Sequence, residues 1–186
     1  MLLSSPLKNR FDFDPGPDAP DVIRMIVEIP KNSSNKYEFD FGEEVFKVSR
    51  ALYSPIHYPG DYGFVPGTLA EDGDPLDIIC LVSSPTYPGI LIYVRPIAVL
   101  DMVDQDQPDR KILAVPSCDP RYDDIISLKD VRSHTKRELE HFFAIYKELE
   151  GKPTHMDGWR DRDAALEVIL ESRNRALAQS AAGAQT

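Results

Sequence analysis

Cysteine is nearly absent: Cys80 and Cys118 are the only 2 in 186 residues, and they lie far apart. That argues against a disulfide framework and for two reduced, packed thiols in a cytoplasmic protein. Long hydrophobic runs are missing too. None approaches the ~20 residues a helix needs to span a bilayer. Met1-Leu2-Leu3 gives way too soon to Pro6, Lys8 and Arg10 to be a signal peptide. Positive charge is scarce, with 21 Lys and Arg against 31 Asp and Glu, a formal charge of −10. Such a chain has no general attraction to a nucleic-acid backbone or an anionic membrane. P-loop, GxGxxG, HExxH and GxSxG motifs are absent, which leaves nucleotide cofactors and the common Ser or Cys nucleophiles unsupported. His57, His134, His141 and His155 are dispersed with no i,i+4 pair, so a zinc site is not expected.

Proline, by contrast, is abundant: 16 residues, where average usage of ~5% gives roughly 9. Many strand ends and turns are expected. Residues 1–21 show no periodicity and read as an arm over the surface. Val22 to Ile29 is β-branched and stops at Pro30, a strand signature. Lys36 to Phe41 alternates strictly, placing Lys36, Glu38 and Asp40 on one face and three aromatics on the other. Val45 to Arg50 reads as its returning partner. Residues 54–75 are dense in Pro, Gly, Tyr and Asp and read as a long structured loop. Leu76 to Val82, Ile90 to Leu100 and Lys111 to Val115 read as further strands.

The last third reads as helical. Thr135-x-x-Glu138 fits a capping box, and Leu139, Phe142, Phe143, Tyr146 and Leu149 form an apolar stripe ending at Gly151. A second helix is expected from about Asp163 to Leu177, with Leu166, Ile169, Leu170 and Leu177 inward. The expectation is an α+β, β-rich fold: one domain over 22–178, and a flexible tail over 179–186.

The densest acidic constellation is Asp72-Gly73-Asp74-Pro75-Leu76-Asp77, entering the apolar run Ile78-Ile79-Cys80-Leu81. Three carboxylates at the mouth of a buried strand repel one another unless a cation lies among them. Oxygen-only ligands suit hard cations such as Mg²⁺, Mn²⁺ or Ca²⁺. An EF-hand fits poorly, because its acidic positions 5 and 12 fall on Leu76 and Ser83. A second acidic stretch, Asp101 to Lys111, and the lone Glu28 are by themselves unremarkable surface features.

These segments together resemble a known family. DGDPLDI at Asp72 to Ile78 looks like the signature of the family I soluble inorganic pyrophosphatases. VEIP at Val27, KYE at Lys36, YPGDYGF at Tyr58, RPIAVL at Arg95, HFFAIYKELE at His141 and GWRDR at Gly158 follow in the family's order. The resemblance implies a five-stranded OB-like antiparallel barrel with two C-terminal helices, hydrolysing inorganic pyrophosphate to two orthophosphates by direct in-line attack of a metal-bound water. It implies several Mg²⁺ ions per site, with Mn²⁺, Zn²⁺ or Co²⁺ as substitutes, and a bacterial-type homohexamer in the cytoplasm, with neither nucleic-acid nor membrane partners. By the same resemblance Asp72, Asp77 and Asp109 hold an activating metal pair, Asp104 and Glu28 hold metals that arrive with substrate, and Glu38 lines the cavity. Asp74 takes a proton from the attacking water. Lys36, Arg50, Tyr62, Lys111, Tyr146 and Lys147 grip phosphate oxygens, with Tyr58 nearby, and the Tyr146-Lys147 pair sits at the cavity rim. Members of the bacterial branch commonly carry Asp before the arginine; here Ser49 stands there.

Charge supports the same site. Seven acids (Glu28, Glu38, Asp72, Asp74, Asp77, Asp104, Asp109) and four bases (Lys36, Arg50, Lys111, Lys147) leave it at −3. Ionised pyrophosphate adds about −4, so roughly three or four divalent cations are needed to neutralise it. The rival readings are weaker. An OB-type nucleic-acid binder wants a basic, aromatic face. Another metal-dependent phosphohydrolase, acting on polyphosphate or nucleotides, would share the cluster, but no base- or ribose-reading motif is present. A metal-storing or structural acidic protein leaves Lys36, Arg50 and Lys111 unexplained.

Overall fold

The computed structural model describes residues 11, 13–152 and 154–183. Nine strands and two helices follow in the order β1 (Ile23–Ile29), β2 (Asn35–Asp40), β3 (Val45–Ala51), β4 (Asp61–Phe64), β5 (Asp77–Cys80), β6 (Leu91–Asp104), β7 (Gln107–Pro108), β8 (Lys111–Pro116), α1 (Ser133–Ile145), β9 (Thr154–Asp161) and α2 (Arg162–Gly183). Five strands close on themselves, because β1 pairs β4, β4 pairs β5, β5 pairs β8, β8 pairs β6 and β6 returns to β1. The expected β-rich, OB-like barrel is present. It is not antiparallel throughout: β5 and β8 run parallel, with Asp77 opposite Lys111 and Ile78 opposite Ile112. The 14-residue β6 makes closure possible, since one continuous strand serves β1, β8, β7 and β9. Pro96, which cannot donate to a ladder, sits where the β6–β8 register shifts.

Strands β2 and β3 form a separate hairpin, with Lys36 opposite Arg50 and a bulge after Lys36. Phe39 buries itself against Phe64, Ile26 and Phe11, and the Phe11 and Phe39 ring centroids are 4.6 Å apart. The expected arm thus contributes a buried aromatic to the barrel wall. Phe41 falls in the turn beyond β2 and is 43% exposed, but its ring still packs on Phe39 and Phe64, with centroids 5.0 and 5.6 Å away.

The segment expected to be a loop over 54–75 contains β4, all four residues buried. Pro59, Gly60 and Gly63 disguise it, but each glycine answers a close approach. A Cβ on Gly63 would lie 1.9 Å from the Ile26 carbonyl oxygen, and one on Gly60 2.5 Å from that of Cys80. The buried Asp61 accepts hydrogen bonds from the Lys31 N–H at 2.8 Å and the Thr86 hydroxyl at 2.7 Å, which satisfies its carboxylate within the fold.

Helix α1 begins at Ser133, so Thr135 lies inside its first turn and caps nothing; the cap position is Arg132, without a side-chain bond. The capping box is instead one turn upstream, where Ser127 and Asp130 close a short 3-10 turn. Leu139, Phe142, Phe143 and Tyr146 are buried as expected, while Leu149 is 62% exposed because the helix has ended. On α2 the buried face is Ala165, Val168, Ile169 and Ser172, an i, i+3, i+4, i+7 stripe. Leu170 and Leu177 fall off that stripe and are exposed, contrary to expectation. The helix continues to Gly183, past the expected start of a flexible tail; residues 184–186 lie outside the described ones. Among the described residues no helix is long and apolar enough to cross a membrane.

Cys80 is buried in the barrel and Cys118 is exposed, so only the first matches the packed-thiol expectation. Burial pushes the Cys80 thiol well above its ordinary range, aided by the nearby Asp61. A thiol reagent at mildly alkaline pH is therefore expected to modify Cys118 in native protein, and Cys80 only after denaturation; counting labelled sites by mass checks this. Gly63→Ala is expected to lower unfolding free energy by about 3 kcal/mol through overpacking against Ile26, read as a fall in the urea midpoint.

Candidate active site

Thirteen of the fourteen residues singled out from the sequence line one cavity of about 420 Å³ at an end of the barrel; Arg50 does not. Each wall has a local cause. The β1–β4 register shifts between Val27 and Ile29, and the irregularity turns Glu28 out of the ladder into the cavity. Its carboxylate accepts the Phe39 N–H at 2.8 Å, which binds the hairpin to β1. On that hairpin the Lys36 ammonium and the Glu38 carboxylate are 2.5 Å apart. Strand β4 contributes Tyr62, and the chain before it Tyr58, their rings packed at 5.5 Å.

The floor is acidic. Gly73, at φ +96°, lets the loop before β5 reverse, and the Asp74 N–H donates to the Asp72 carboxylate at 3.1 Å. Across the barrel, Gln105 and Asp106 both adopt left-handed backbone conformations, making the tight β6–β7 turn that brings Asp104 and Asp109 to the same side. Asp101 and Asp106, from the same acidic stretch, do not join them; Asp101 pairs with Arg110 and Arg160.

The bases stand among these acids. Lys111 is 3% exposed and pairs with both Asp77 and Asp109. Burial alone would lower its pKa, yet the two carboxylates outweigh burial and hold it above the ordinary lysine range. Lys147 pairs with Asp104. Tyr146 caps the C-terminus of α1 and Lys147 follows it, so the helix delivers both to the rim, as the resemblance implies.

Arg50 is turned aside. It pairs with Glu150 and lies over the Tyr146 ring, 5.9 Å from its centroid. Glu150 went unnoticed in the sequence; it ends a short 3-10 turn after α1, and that turn brings it to Arg50. Ser49 stands next to Arg50 on β3, and its hydroxyl is among the groups that favour the ionised Glu38 carboxylate. Burial raises the Glu38 carboxyl, but Lys36, Ser49 and Arg50 together bring it below the ordinary range.

Three of the other acids, Glu28, Asp74 and Asp109, are poorly stabilised as anions. Burial, reinforced by Asp77, pushes Glu28 up to about 8. Burial and the neighbouring Asp72 and Asp77 raise Asp74. Burial also raises Asp109, although Lys111 pulls against it. One oxygen of Asp104 is buried without a hydrogen-bond partner. An orphaned carboxylate oxygen in a cavity lined by carboxylates, with no thiol or imidazole, suits hard divalent cations. Among the described residues no three acidic, His or Cys side chains are already gathered about one point as a metal cage; Lys111 and Lys147 stand between them.

A larger groove of about 790 Å³ lies beyond Tyr58, lined by His57, Arg121, Glu138 and Phe142 among others. It holds one carboxylate, Glu138, and none of the clustered acids. The Lys111 pairs bear on stability as well: Lys111→Met leaves two partly buried carboxylates facing each other. A loss of about 3–5 kcal/mol is expected, measured by urea unfolding of metal-free protein.

With this geometry in view, the relatives of the chain can be compared. Residues 25–177 match the family model described as inorganic pyrophosphatase. An inorganic pyrophosphatase of Nostoc sp. is 49% identical over 158 residues, covering 85% of this chain and 94% of its own. That of Halalkalibacterium halodurans is 47% identical over 152 residues, covering 82% and 93%. The crystal structure of inorganic pyrophosphatase from Thermus thermophilus superposes with a TM-score of 0.88 at 43% identity, covering 90% of this chain and 98% of that one. The match spans the barrel, the cavity and most of α2, and the chain belongs to the inorganic pyrophosphatase family.

Proposed function

We propose that the acidic cavity is where this pyrophosphatase cleaves inorganic pyrophosphate into two orthophosphates, within a single catalytic unit spanning residues 22–178. The observation that carries the reading is the convergence of thirteen residues from seven separated segments on one cavity. Asp72, Asp77 and Asp109 would hold an activating cation pair, and Asp104 and Glu28 the cations that accompany the substrate, with Glu38 as a further acid at the wall. Divalent cations bound there, Mg²⁺ first with Mn²⁺, Zn²⁺ or Co²⁺ as substitutes, would neutralise the charge and lower the pKa of the attacking water.

The residues themselves divide the remaining work. Asp74 accepts the proton of the attacking water. The water oxygen bonds one phosphorus in line while the bond from that phosphorus to the bridging oxygen breaks. Both phosphates leave as orthophosphate, and no enzyme-bound intermediate forms. Lys36, Lys111 and Tyr62 donate to phosphate oxygens as charge shifts onto the leaving group. Tyr146 and Lys147 hold the outer phosphate, Tyr58 backs them, and Arg50 reaches the substrate by leaving Glu150.

A homohexamer in the cytoplasm is inferred with the family resemblance. The exposed apolar residues Tyr87 and Ile90 before β6, with Leu91 and Tyr93 at its start, are consistent with self-association.

Phosphate release is expected from pyrophosphate with Mg²⁺ and not without it, and not at comparable rates from ATP or tripolyphosphate. Rapid nucleotide or polyphosphate cleavage would instead identify a broader phosphohydrolase. Asp77→Asn is expected to lose cation binding and activity together. Asp74→Asn is expected to keep cation affinity but slow turnover by about 10²–10⁴-fold. Near-normal turnover of the Asp74 variant, with calorimetric cation binding intact, would remove the proton-acceptor role.

A further inference from the structure

The acidic loop is exposed over residues 71–74 and closes on itself, the Ala70 N–H donating to the Asp74 carbonyl oxygen at 2.7 Å and the Gly73 N–H to the Ala70 carbonyl oxygen at 3.3 Å. Those bonds shape the turn but do not tie it to the rest of the fold, and Asp72, Asp74 and Asp77 repel one another. Its apolar anchor is Leu76, at the entry to β5. The outer side of the loop, away from the cavity, meets α2 and the start of β8. There Arg175 donates to the Leu69 carbonyl oxygen at 2.5 Å, and the Leu69 N–H donates to the Ser172 carbonyl oxygen at 2.9 Å. Arg110 lies 3.6 Å from Glu71, 3.3 Å from Asp101 and 3.6 Å from Glu171, and Arg175 is 3.8 Å from Glu71.

Glu71 and Arg110 are the immediate chain neighbours of Asp72 and Asp109. Their pairing therefore couples two cation-binding segments that are distant in sequence. A single exposed ion pair contributes little, but this network is shared through Arg110 and anchored by a charged hydrogen bond to backbone.

We propose that Arg110 and Arg175 are positioning residues for the cation-binding carboxylates, fastening the loop of Asp72 and Asp74 to α2 and to the start of β8. The inference rests on the reading of the cavity as a divalent-cation site. Neither arginine lines the cavity. Their work is to keep the carboxylates at the spacing a cation pair requires while those carboxylates repel one another.

Arg110→Met and Arg175→Met keep the apolar stems and remove the charges. In the full-length protein, Mg²⁺ affinity by titration calorimetry is expected to weaken about tenfold. Turnover at saturating Mg²⁺ should stay within about twofold. In metal-free protein, backbone amides of residues 69–76 are expected to exchange hydrogen faster than in the wild type. Arg110→Lys restores most of the affinity, and Arg121→Gln, whose parent side chain pairs with Asp119, changes none of these readings.

Unchanged affinity and unchanged exchange in both Met variants would overturn the proposal. Slower turnover at saturating Mg²⁺ with unchanged binding would overturn it too, since the arginines would then act on the chemistry. If Arg175→Met does not fold, the Arg110→Met and Arg110→Lys pair decides. A wild-type protein that binds Mg²⁺ but does not hydrolyse pyrophosphate removes the activity reading and leaves the fastening to stand or fall on affinity and exchange.

Discussion

The buried ammonium of Lys111, held between Asp77 and Asp109, is the interaction on which the rest of the structure depends. It exists because β5 and β8 run parallel with Asp77 opposite Lys111. Antiparallel pairing in another register would separate the acid of the DGDPLD segment from the lysine that neutralises it. A parallel pair needs a long crossover, and the chain supplies it as the β6 strand, which then returns to pair with both β1 and β8. Closure of the barrel and assembly of the acidic floor are therefore one event.

Around that pair the fold places acids where their ionisation is unfavourable. Glu28 is raised to about 8, Asp74 and Asp109 are raised, and one Asp104 oxygen lacks a partner. A protein selected only for stability would pair or remove such groups. Here they share one cavity with Lys36, Lys111 and Lys147. The aromatic wall of Tyr58, Tyr62, Phe142 and Tyr146 supplies apolar packing that holds the rim in place.

Much of this was legible in the chain. Period-two alternation marked the β2–β3 hairpin and put Lys36 and Glu38 on one face, and β-branched runs marked β1 and β8. The candidate site was legible through ordered motifs rather than through local pattern, since Tyr146 alone reads as core and Lys147 as surface. What escaped depends on contacts between distant residues. Strand β4 was hidden because Gly60 and Gly63 look like turn residues when only the approaching Ile26 and Cys80 backbones explain them. The start of α1 was misplaced because a capping box is only a local signal: Thr135-x-x-Glu138 fits one, yet the helix has already begun at Ser133. Glu71 with Arg110, and Glu150 with Arg50, are ion pairs across 39 and 100 residues of sequence, and no periodicity reports such pairs.

Arg50 ties the charge balance of the site to a residue outside the cavity. Its guanidinium already has a carboxylate partner in Glu150 and an aromatic face in Tyr146, so engaging a phosphate means exchanging one anion for another. Lys111 and Lys147 face the same choice, because each is paired with a carboxylate proposed to bind cations. Divalent cations arriving at Asp77, Asp104 and Asp109 would compete with those ammonium groups and release them toward phosphate oxygens. Cation binding and substrate gripping are then linked through shared carboxylates. The excess of acids over bases in the cavity gives that linkage its direction: only added positive charge can free the lysines while keeping the acids ionised.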